Sequence, residues 1–437
     1  MGRFAHTDCR AAGGILAPLS SHVSETPLNV SCRVCGTPLK HLFVDLGMSP
    51  LCQTVVRPEQ INDMEPFYPL RVYVCGECFL VQLDEYVPPQ GIFTEYAYFS
   101  SCSPSWIAHA ERYVDDVSAR FGLGGSSFVV EIASNDGYLL QHFVRRGVDV
   151  LGVEPARNVA LVAVEKGIPT TCRFFDERVA AEIADRHKPP DLILGNNVLA
   201  HVPQVNSFVR GIKMLLKPGG VVTMEFPHLM NLIDLTQFDT IYHEHFSYLS
   251  LLTVHRLFAS HELEIFDVQR LPVHGGSLRI FAKHAADPAH RVEPSVAELL
   301  ELERERGFAD LGVYEGFGDK VARLKRDILS FLIAAREDGR TIAGYGAPGK
   351  GNTLLNYCGI RTDFIDYTVD VNPYKQGTYT PGARIPVYPP ERIRETRPDY
   401  LFILPWNLRQ EIVQQTAYIR DWGGRWVVPI PAVEVLE

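Results

Sequence analysis

Along the chain, short apolar runs alternate with stretches whose apolar positions recur at helical spacing. Residues 127–132 (SFVVEI) form the first clear run, followed by the turn-forming Ser134-Asn135-Asp136-Gly137 and a helical stretch from Tyr138. Further runs lie at 148–153, 169–173, 191–194 and 221–226, with helical spacing at 159–166 and 205–216. Short apolar runs bounded by turn residues predict buried strands. Strand and helix taking turns at this interval predict a parallel, doubly wound sheet with its ligand at the carboxyl ends of the strands. Residues 273–281 (VHGGSLRIF) predict a hairpin turn and a closing antiparallel strand, with Gly275 and Gly276 serving the turn. From 295 to 338 the pattern is charged and helical, with Leu324, Ile328 and Leu332 four residues apart. Runs at 341–345, 367–370 and 399–404 predict a second α/β unit.

Composition bounds this picture. The 437 residues are 46% hydrophobic, which suits about three domains and rules out disorder for the bulk of the chain. The pattern divides it into a flexible tail (1–28), a cysteine-bearing module (29–92), an α/β domain (93–290) and a helical connector with a second α/β domain (291–437). A formal charge of −10 argues against a dedicated nucleic-acid binder. No apolar run approaches the roughly 18–20 residues needed to span a bilayer, so no membrane partner is expected. The apolar stretch at 15–19 is short and broken by Pro18, unlike a secretory core. Nine cysteines, an odd number, favour a reducing compartment, so a cytoplasmic protein is expected.

Four cysteines are patterned. Cys32-Arg-Val-Cys35 and Cys75-Gly-Glu-Cys78 are two CxxC knuckles, each of which aims two thiolates at one centre. Together they predict a closed tetrahedral site for structural zinc, with no open position for catalysis. The other five cysteines form no pattern and read as ordinary packing residues.

The strand ends carry the next chemistry. The turn after the first strand is Ser-Asn-Asp-Gly rather than GxGxxG, so a dinucleotide pyrophosphate would lose its glycine cradle. Glu154 ends the second strand about twenty residues on, where a carboxylate accepts from both ribose hydroxyls. Asn196 and Asn197 end the fourth run, where buried amides need partners. This set suits a nucleoside without phosphates, such as S-adenosylmethionine. The candidate cofactor contacts are Glu131, Ser134, Asn135, Gly137, Glu154, Pro155, Asp176, Asn196 and Asn197.

The order of EIASNDGYLL, VEP, NNVLAHV and LKPGGVVTMEFP resembles the class I methyltransferases that use S-adenosylmethionine. The two knuckles, the block YHEHFSYLS (242–250) and the late GYGAPGKGNT (344–353) narrow the resemblance. They are similar to the three-domain nucleotide-sugar C-methyltransferases, from about residue 30 to the C-terminus. The resemblance implies a class I Rossmann-like sheet, a small N-terminal four-cysteine zinc module and a C-terminal Rossmann-like domain that helps hold a sugar nucleotide. It implies methylation of the carbon beside the ketone, C3 or C5, of a nucleotide-linked 4-keto-6-deoxy sugar, chiefly dTDP-linked in the family.

Forming a carbon–carbon bond there requires a base for the proton alpha to the ketone and stabilisation of the enolate. His245 is the first candidate base, Glu244 would orient it or contact the sugar, and Tyr242 would donate to the enolate oxygen. Adjacent residues project apart, so His243, Glu244 and His245 do not predict a metal triad. The resemblance adds an upstream tyrosine, matched by Tyr96, and sugar contacts at His274 and Ser277. Gly344 to Lys350 matches GxxxxGK, but Gly351 stands where a P-loop needs a hydroxyl, so ATP hydrolysis is not expected. The glycines, Lys350 and the helix amides suit a diphosphate instead. The resemblance extends substrate binding to Lys350, Asn352 and Thr353. The alternatives are an O- or N-methyltransferase on another substrate, or a protein that binds S-adenosylmethionine without turnover.

Overall fold

The computed structural model describes residues 30–93 and 99–437; Tyr96 and the tail expected over 1–28 fall outside them. Strands β1 (His41–Ser49), β2 (Tyr68–Val74) and β3 (Val81–Leu83) form an antiparallel sheet. The first knuckle precedes β1 and the second is the β2–β3 turn. Each is closed by its own backbone: Gly36 N–H donates to Cys32 O at 2.8 Å and Phe79 N–H to Cys75 O at 3.1 Å.

The second sheet contains β4 (Phe128–Ile132), β5 (Asp149–Val153), β6 (Thr170–Thr171), β7 (Leu192–Asn196) and β8 (Val221–Pro227). All five are parallel. The two-residue strand β9 (Ser247–Tyr248) leaves this sheet, and the hairpin β10 (Leu263–Leu271) and β11 (Ser277–His284) completes it. The strand order is β10-β11-β8-β7-β4-β5-β6, with β11 antiparallel to both neighbours. Every residue of β4 is buried, as expected for a central strand covered on both faces. This is the doubly wound class I methyltransferase arrangement.

Helix Pro104–Phe121, which precedes β4, is absent from the elements predicted above. Its buried residues Trp106, Ala110, Tyr113, Val114 and Val117 lie on one face, at helical spacing. Ser103 caps it by accepting from Trp106 N–H, and Gly122 ends it at φ 64°. A buried polar network fastens it to the sheet: Glu225 near the end of β8 pairs with Arg279 at 2.7 Å and lies 3.1 Å from His109 Nε2.

The connector is helical as expected, over Pro294–Glu305 and Phe317–Glu337. The third sheet comprises β12 (Ile342–Tyr345), β13 (Tyr367–Val369), β14 (Val387–Tyr388), β15 (Tyr400–Ile403), β16 (Arg425–Val428) and β17 (Glu434–Leu436). Its order is β14-β13-β12-β15-β16-β17, parallel except for β17.

The N-terminal sheet touches both larger units of the chain. Phe43 on β1 stacks on Phe317 of the connector, with centroids 4.5 Å apart. On the other side β9 pairs with β3, Tyr248 opposite Val81 and Ser247 opposite Gln82. The block YHEHFSYLS is therefore partly a strand of the cysteine-bearing sheet. The carboxyl ends of both parallel sheets open onto one cavity of about 830 Å³. Among the described residues, no helix is long and apolar enough to cross a membrane.

Candidate active site

One end of the cavity is built from β4, β5 and β7. Glu154, at the end of β5, is buried, and burial pushes its carboxyl up to about 7. Its oxygens accept from Asn135 N–H at 2.9 Å and Ala156 N–H at 2.8 Å. A carboxylate has about four acceptor sites, so capacity remains for ligand hydroxyls. Asn196 and Asn197 line the same wall. Neither side-chain polar atom of Asn196 has a partner among the described residues, nor does Asn197 Oδ1. Buried polar atoms are normally paired, so these sites await a polar ligand. The donors and acceptors therefore fit a nucleoside cofactor.

The backbone around this wall is unusual. Ala133, Asn135, Asn197 and His274 all adopt left-handed φ, between 49° and 58°. Such non-glycine residues cluster at binding sites, where the surrounding structure holds the strain. His274 Nε2 lies 3.3 Å from Asn197 Nδ2, so the amide donates and the ring carries its proton on Nδ1. Gly276 follows at φ 109°, and a Cβ there would meet Asn231 Nδ2 at 1.8 Å.

The cavity's other end holds the YHEHF turn and Lys350. His245 Nδ1 lies 2.8 Å from the Thr240 carbonyl, which fixes Nδ1 as the donor and leaves the Nε2 lone pair. Tyr242 packs on the ring with centroids 4.0 Å apart, and His201 meets it edge-on at 4.7 Å. Burial holds His245 well below its ordinary value and His201 and His274 at about 4, so all three are neutral near pH 7. A neutral imidazole is the proton-accepting form, although such a shift makes it a weak base. Lys350 Nζ donates to Asn407 Oδ1 at 2.8 Å and sits 4.9 Å from the centre of the Trp406 ring. The cavity thus joins a polar nucleoside-type wall, an aromatic and histidine centre, and a cation.

Models of three domain families match the chain: a zinc-binding domain over residues 32–93, a methyltransferase domain over 106–268 and a C-methyltransferase C-terminal domain over 272–431. The chain is 40% identical over 405 residues to C-methyltransferase NovU of Streptomyces niveus, covering 93% of this chain and 96% of that protein. The chain belongs to this C-methyltransferase family. It is an S-adenosylmethionine-dependent methyltransferase. A ubiquinone biosynthesis O-methyltransferase of Photorhabdus laumondii is 33% identical over 98 residues, 22% of this chain and 40% of that protein. Magnesium protoporphyrin IX methyltransferase of Synechocystis PCC 6803 is 14% identical, covering 40% of this chain and 82% of that one, at a TM-score of 0.33. The fold assignment rests on strand order rather than on that likeness.

The cavity of this C-methyltransferase brings together Asn135, Glu154, Pro155, Asp176, Asn196, Asn197, Tyr242, His245, His274 and Lys350. Asp176 also caps helix Glu177–Arg186, accepting from Val179 N–H at 2.8 Å. Other candidates sit behind the wall. Glu131 is buried with both oxygens unpartnered among the described residues, and burial beside Glu154 and Asp136 raises it well above the carboxyl range. Ser134 turns under β5, where a Cβ on Gly152 would meet its Oγ at 2.4 Å. Gly137 is bare because φ is 77° and a Cβ would lie 2.2 Å from Ile168 Cδ1, not to admit a ligand. Glu244 is buried outside the lining, and the Thr240 carbonyl takes the orienting position expected of it. His243 points elsewhere, to the Pro69 carbonyl at 3.1 Å, because successive residues of this tight turn diverge.

At the β10–β11 hairpin, Ser277 Oγ donates to Val273 O at 3.1 Å and stays within its own turn. Asn352 and Thr353 are buried on helix Gly349–Cys358, and Asn352 Nδ2 donates to Cys52 O at 2.7 Å. Two residues beyond Lys350 a helix has turned through about 200°, which carries Asn352 to the opposite face. Residues that went unassigned from the sequence also line the cavity: Trp106, His201 and Asn407, with Gln53 from the N-terminal part. His201 lies in the quoted NNVLAHV string, where its spacing after Asn197 was the available signal.

The four knuckle cysteines come together, their Sγ atoms all within 4.8 Å of one another. Cys32 and Cys78 are 3.5 Å apart, as are Cys35 and Cys75. Tetrahedral zinc with Zn–S bonds of about 2.3 Å needs sulfurs about 3.8 Å apart, so the cluster fits the ion.

Proposed function

We propose that this C-methyltransferase methylates the carbon alpha to the ketone, C3 or C5, of a nucleotide-linked 4-keto-6-deoxy sugar, dTDP being the first base to test, in cytoplasmic deoxysugar biosynthesis. The observation that carries the reading is His245: its Nδ1–H is committed to Thr240 O at 2.8 Å, which keeps a proton-accepting Nε2 for a cavity that also holds Lys350. We assign Glu154, Asn135, Pro155, Asp176, Asn196 and Asn197 to the cofactor, with Glu131, Ser134 and Gly137 shaping the loop beneath them.

S-adenosylmethionine supplies an electrophilic methyl on a sulfonium when bound. His245 removes the proton alpha to the ketone, and Tyr242 donates to the oxygen where enolate charge develops. Because His245 is a weak base, that donation carries much of the burden. Lys350 meets the diphosphate, and His274 faces the sugar. Holding the two carbons in line converts the encounter into an intramolecular step. Glu244, Ser277, Asn352 and Thr353 support the walls from behind. The four cysteines hold structural zinc in the 29–92 module, which closes the 93–290 and 291–437 domains around the cavity.

The test is product analysis by carbon NMR with methyl-labelled cofactor and a dTDP-4-keto-6-deoxy sugar. A labelled methyl coupled to a ring carbon supports the reading. A label on oxygen or nitrogen, or none across several keto sugars despite cofactor binding, rejects it.

A further inference from the structure

We propose that Asp239 is a positioning residue whose buried carboxylate, set behind the Trp406 ring, balances the Lys350 ammonium held at the cavity wall for the anionic part of the substrate. This rests on the reading that Lys350 meets the diphosphate. Asp239 lies in the short turn Phe238–Thr240, ahead of the YHEHF block, and is completely buried. Its Oδ2 accepts from Trp406 Nε1–H at 2.7 Å, while Oδ1 has no partner among the described residues. Trp406 and Asn407 follow β15 in the third sheet, and between them they cradle Lys350: the ring lies under Nζ and the amide accepts from it. The carboxylate on one α/β unit thereby fixes the ring that seats the cation of the other.

The same turn reaches the rest of the site. Thr240 O fixes the His245 tautomer, and Gln237 Nε2 donates to Gly275 O at 2.8 Å, beside His274. Gly275 has no room for a side chain, since a Cβ would lie 2.7 Å from Trp406 and 2.8 Å from Gln237. Asp239 therefore sits where the histidine, the hairpin and the cation are all referenced.

Among the described residues, the titratable groups facing Lys350 are Asp239, His245 and His274. Those facing Asp239 are Lys350, Tyr242 and Cys358. The two histidines are neutral, and burial raises Tyr242 and Cys358, so Asp239 is the carboxylate that balances the ammonium. Burial alone depresses Lys350 and Asp239 opposes that depression. Asp239 is itself raised to about 6 and is ionised above that pH.

The test uses Asp239→Asn, which keeps an acceptor for the indole but removes the charge, and thymidine diphosphate as the probe. Isothermal titration of the full-length protein is run at about pH 7 and about pH 9, with Lys350→Met alongside. Without the balancing carboxylate the ammonium gives up its proton more readily, so Kd is expected to weaken by up to about tenfold at the higher pH and by less at the lower. Cofactor affinity, measured on the same samples, stays unchanged and shows that the variant is folded. Equal weakening at both pH values, or none at either, overturns the inference. Lys350→Met distinguishes the underlying reading: if it leaves thymidine diphosphate binding intact, the diphosphate assignment fails and Asp239 loses its role with it. If Lys350→Met weakens binding and Asp239→Asn shows no pH-selective loss, the Asp239 inference fails by itself.

Discussion

The two parallel sheets present the same piece of architecture to the cavity and use it differently. Each has a central strand, a turn, a helix, and an acidic residue ending the next strand: β4 with Glu154, and β12 with Asp370. In the first, Glu154 lines the cavity and accepts from the Asn135 and Ala156 amides while keeping capacity for a ligand. In the second, Asp370 turns back on its own loop. Its Oδ2 accepts from Ala347 N–H at 2.8 Å, Oδ1 from Asn372 N–H, and Lys375 Nζ donates to Ala347 O. The second turn offers the cavity Gly349 and Lys350 instead of a carboxylate. On the proposed reading one sheet serves a nucleoside and the other an anion, on the same strand–turn–helix plan. Fold sets where a ligand can lie, and side chains set which ligand it is.

The strongest way to break this division is to loosen what holds the two sheets together. Chelating the proposed zinc, or replacing Cys75 with Ser, should abolish cofactor and nucleotide binding together. Structural zinc sites contribute on the order of 10 kcal/mol in small domains, and the N-terminal sheet packs on both larger units. Thermal melts with and without added zinc would check this, and unchanged melting would remove the metal from the account.

Finer variants should separate the two ends. Glu154→Gln is expected to weaken cofactor binding by about tenfold to a hundredfold, the loss of charge-assisted hydrogen bonds at about 1.5–3 kcal/mol, and to leave thymidine diphosphate binding intact. Titration calorimetry with both ligands decides it, and parallel losses would mean that the sheets do not divide the labour. Gly137→Ala should destabilise by roughly 1–3 kcal/mol, because φ of 77° and the contact with Ile168 both oppose a side chain. Chemical denaturation would measure this directly.

The smallest effect is one of pH. Glu154 titrates at about 7, so as pH falls through that value the carboxylate takes up a proton and loses an acceptor. Cofactor affinity should decline severalfold below neutrality in the parent and be flat in Glu154→Gln. A slope that persists in the variant would assign the titration to another group.

The strands of the second sheet were legible because each is a short apolar run ending in turn residues, as in SFVVEI before Ser134. Glu154, Asn196 and Asn197 reach the cavity for the same reason: they stand at the carboxyl ends of such strands. What depends on distant pairing was not legible. The strand at Ser247 exists because β3 lies beside it, more than 160 residues earlier, and two residues carry no periodicity of their own. Asp239 meets Trp406 across 167 positions, and Thr240 reaches His245 through a carbonyl that any residue would supply. Asn352 and Thr353 were expected at the cavity because they follow Lys350 in sequence; helical rotation carries Asn352 to the opposite face, and Thr353 is buried without lining the cavity.

The proposed chemistry depends on His245 as the base that exposes a carbon nucleophile. Incubating the protein with a dTDP-4-keto-6-deoxy sugar in D2O, and following the sugar by mass spectrometry, reads that step before any methyl moves. The expected result is enzyme-dependent uptake of deuterium, a methyl mass gain when S-adenosylmethionine is added, and loss of both in His245→Ala with cofactor binding retained. Undiminished exchange and methylation in His245→Ala would contradict it.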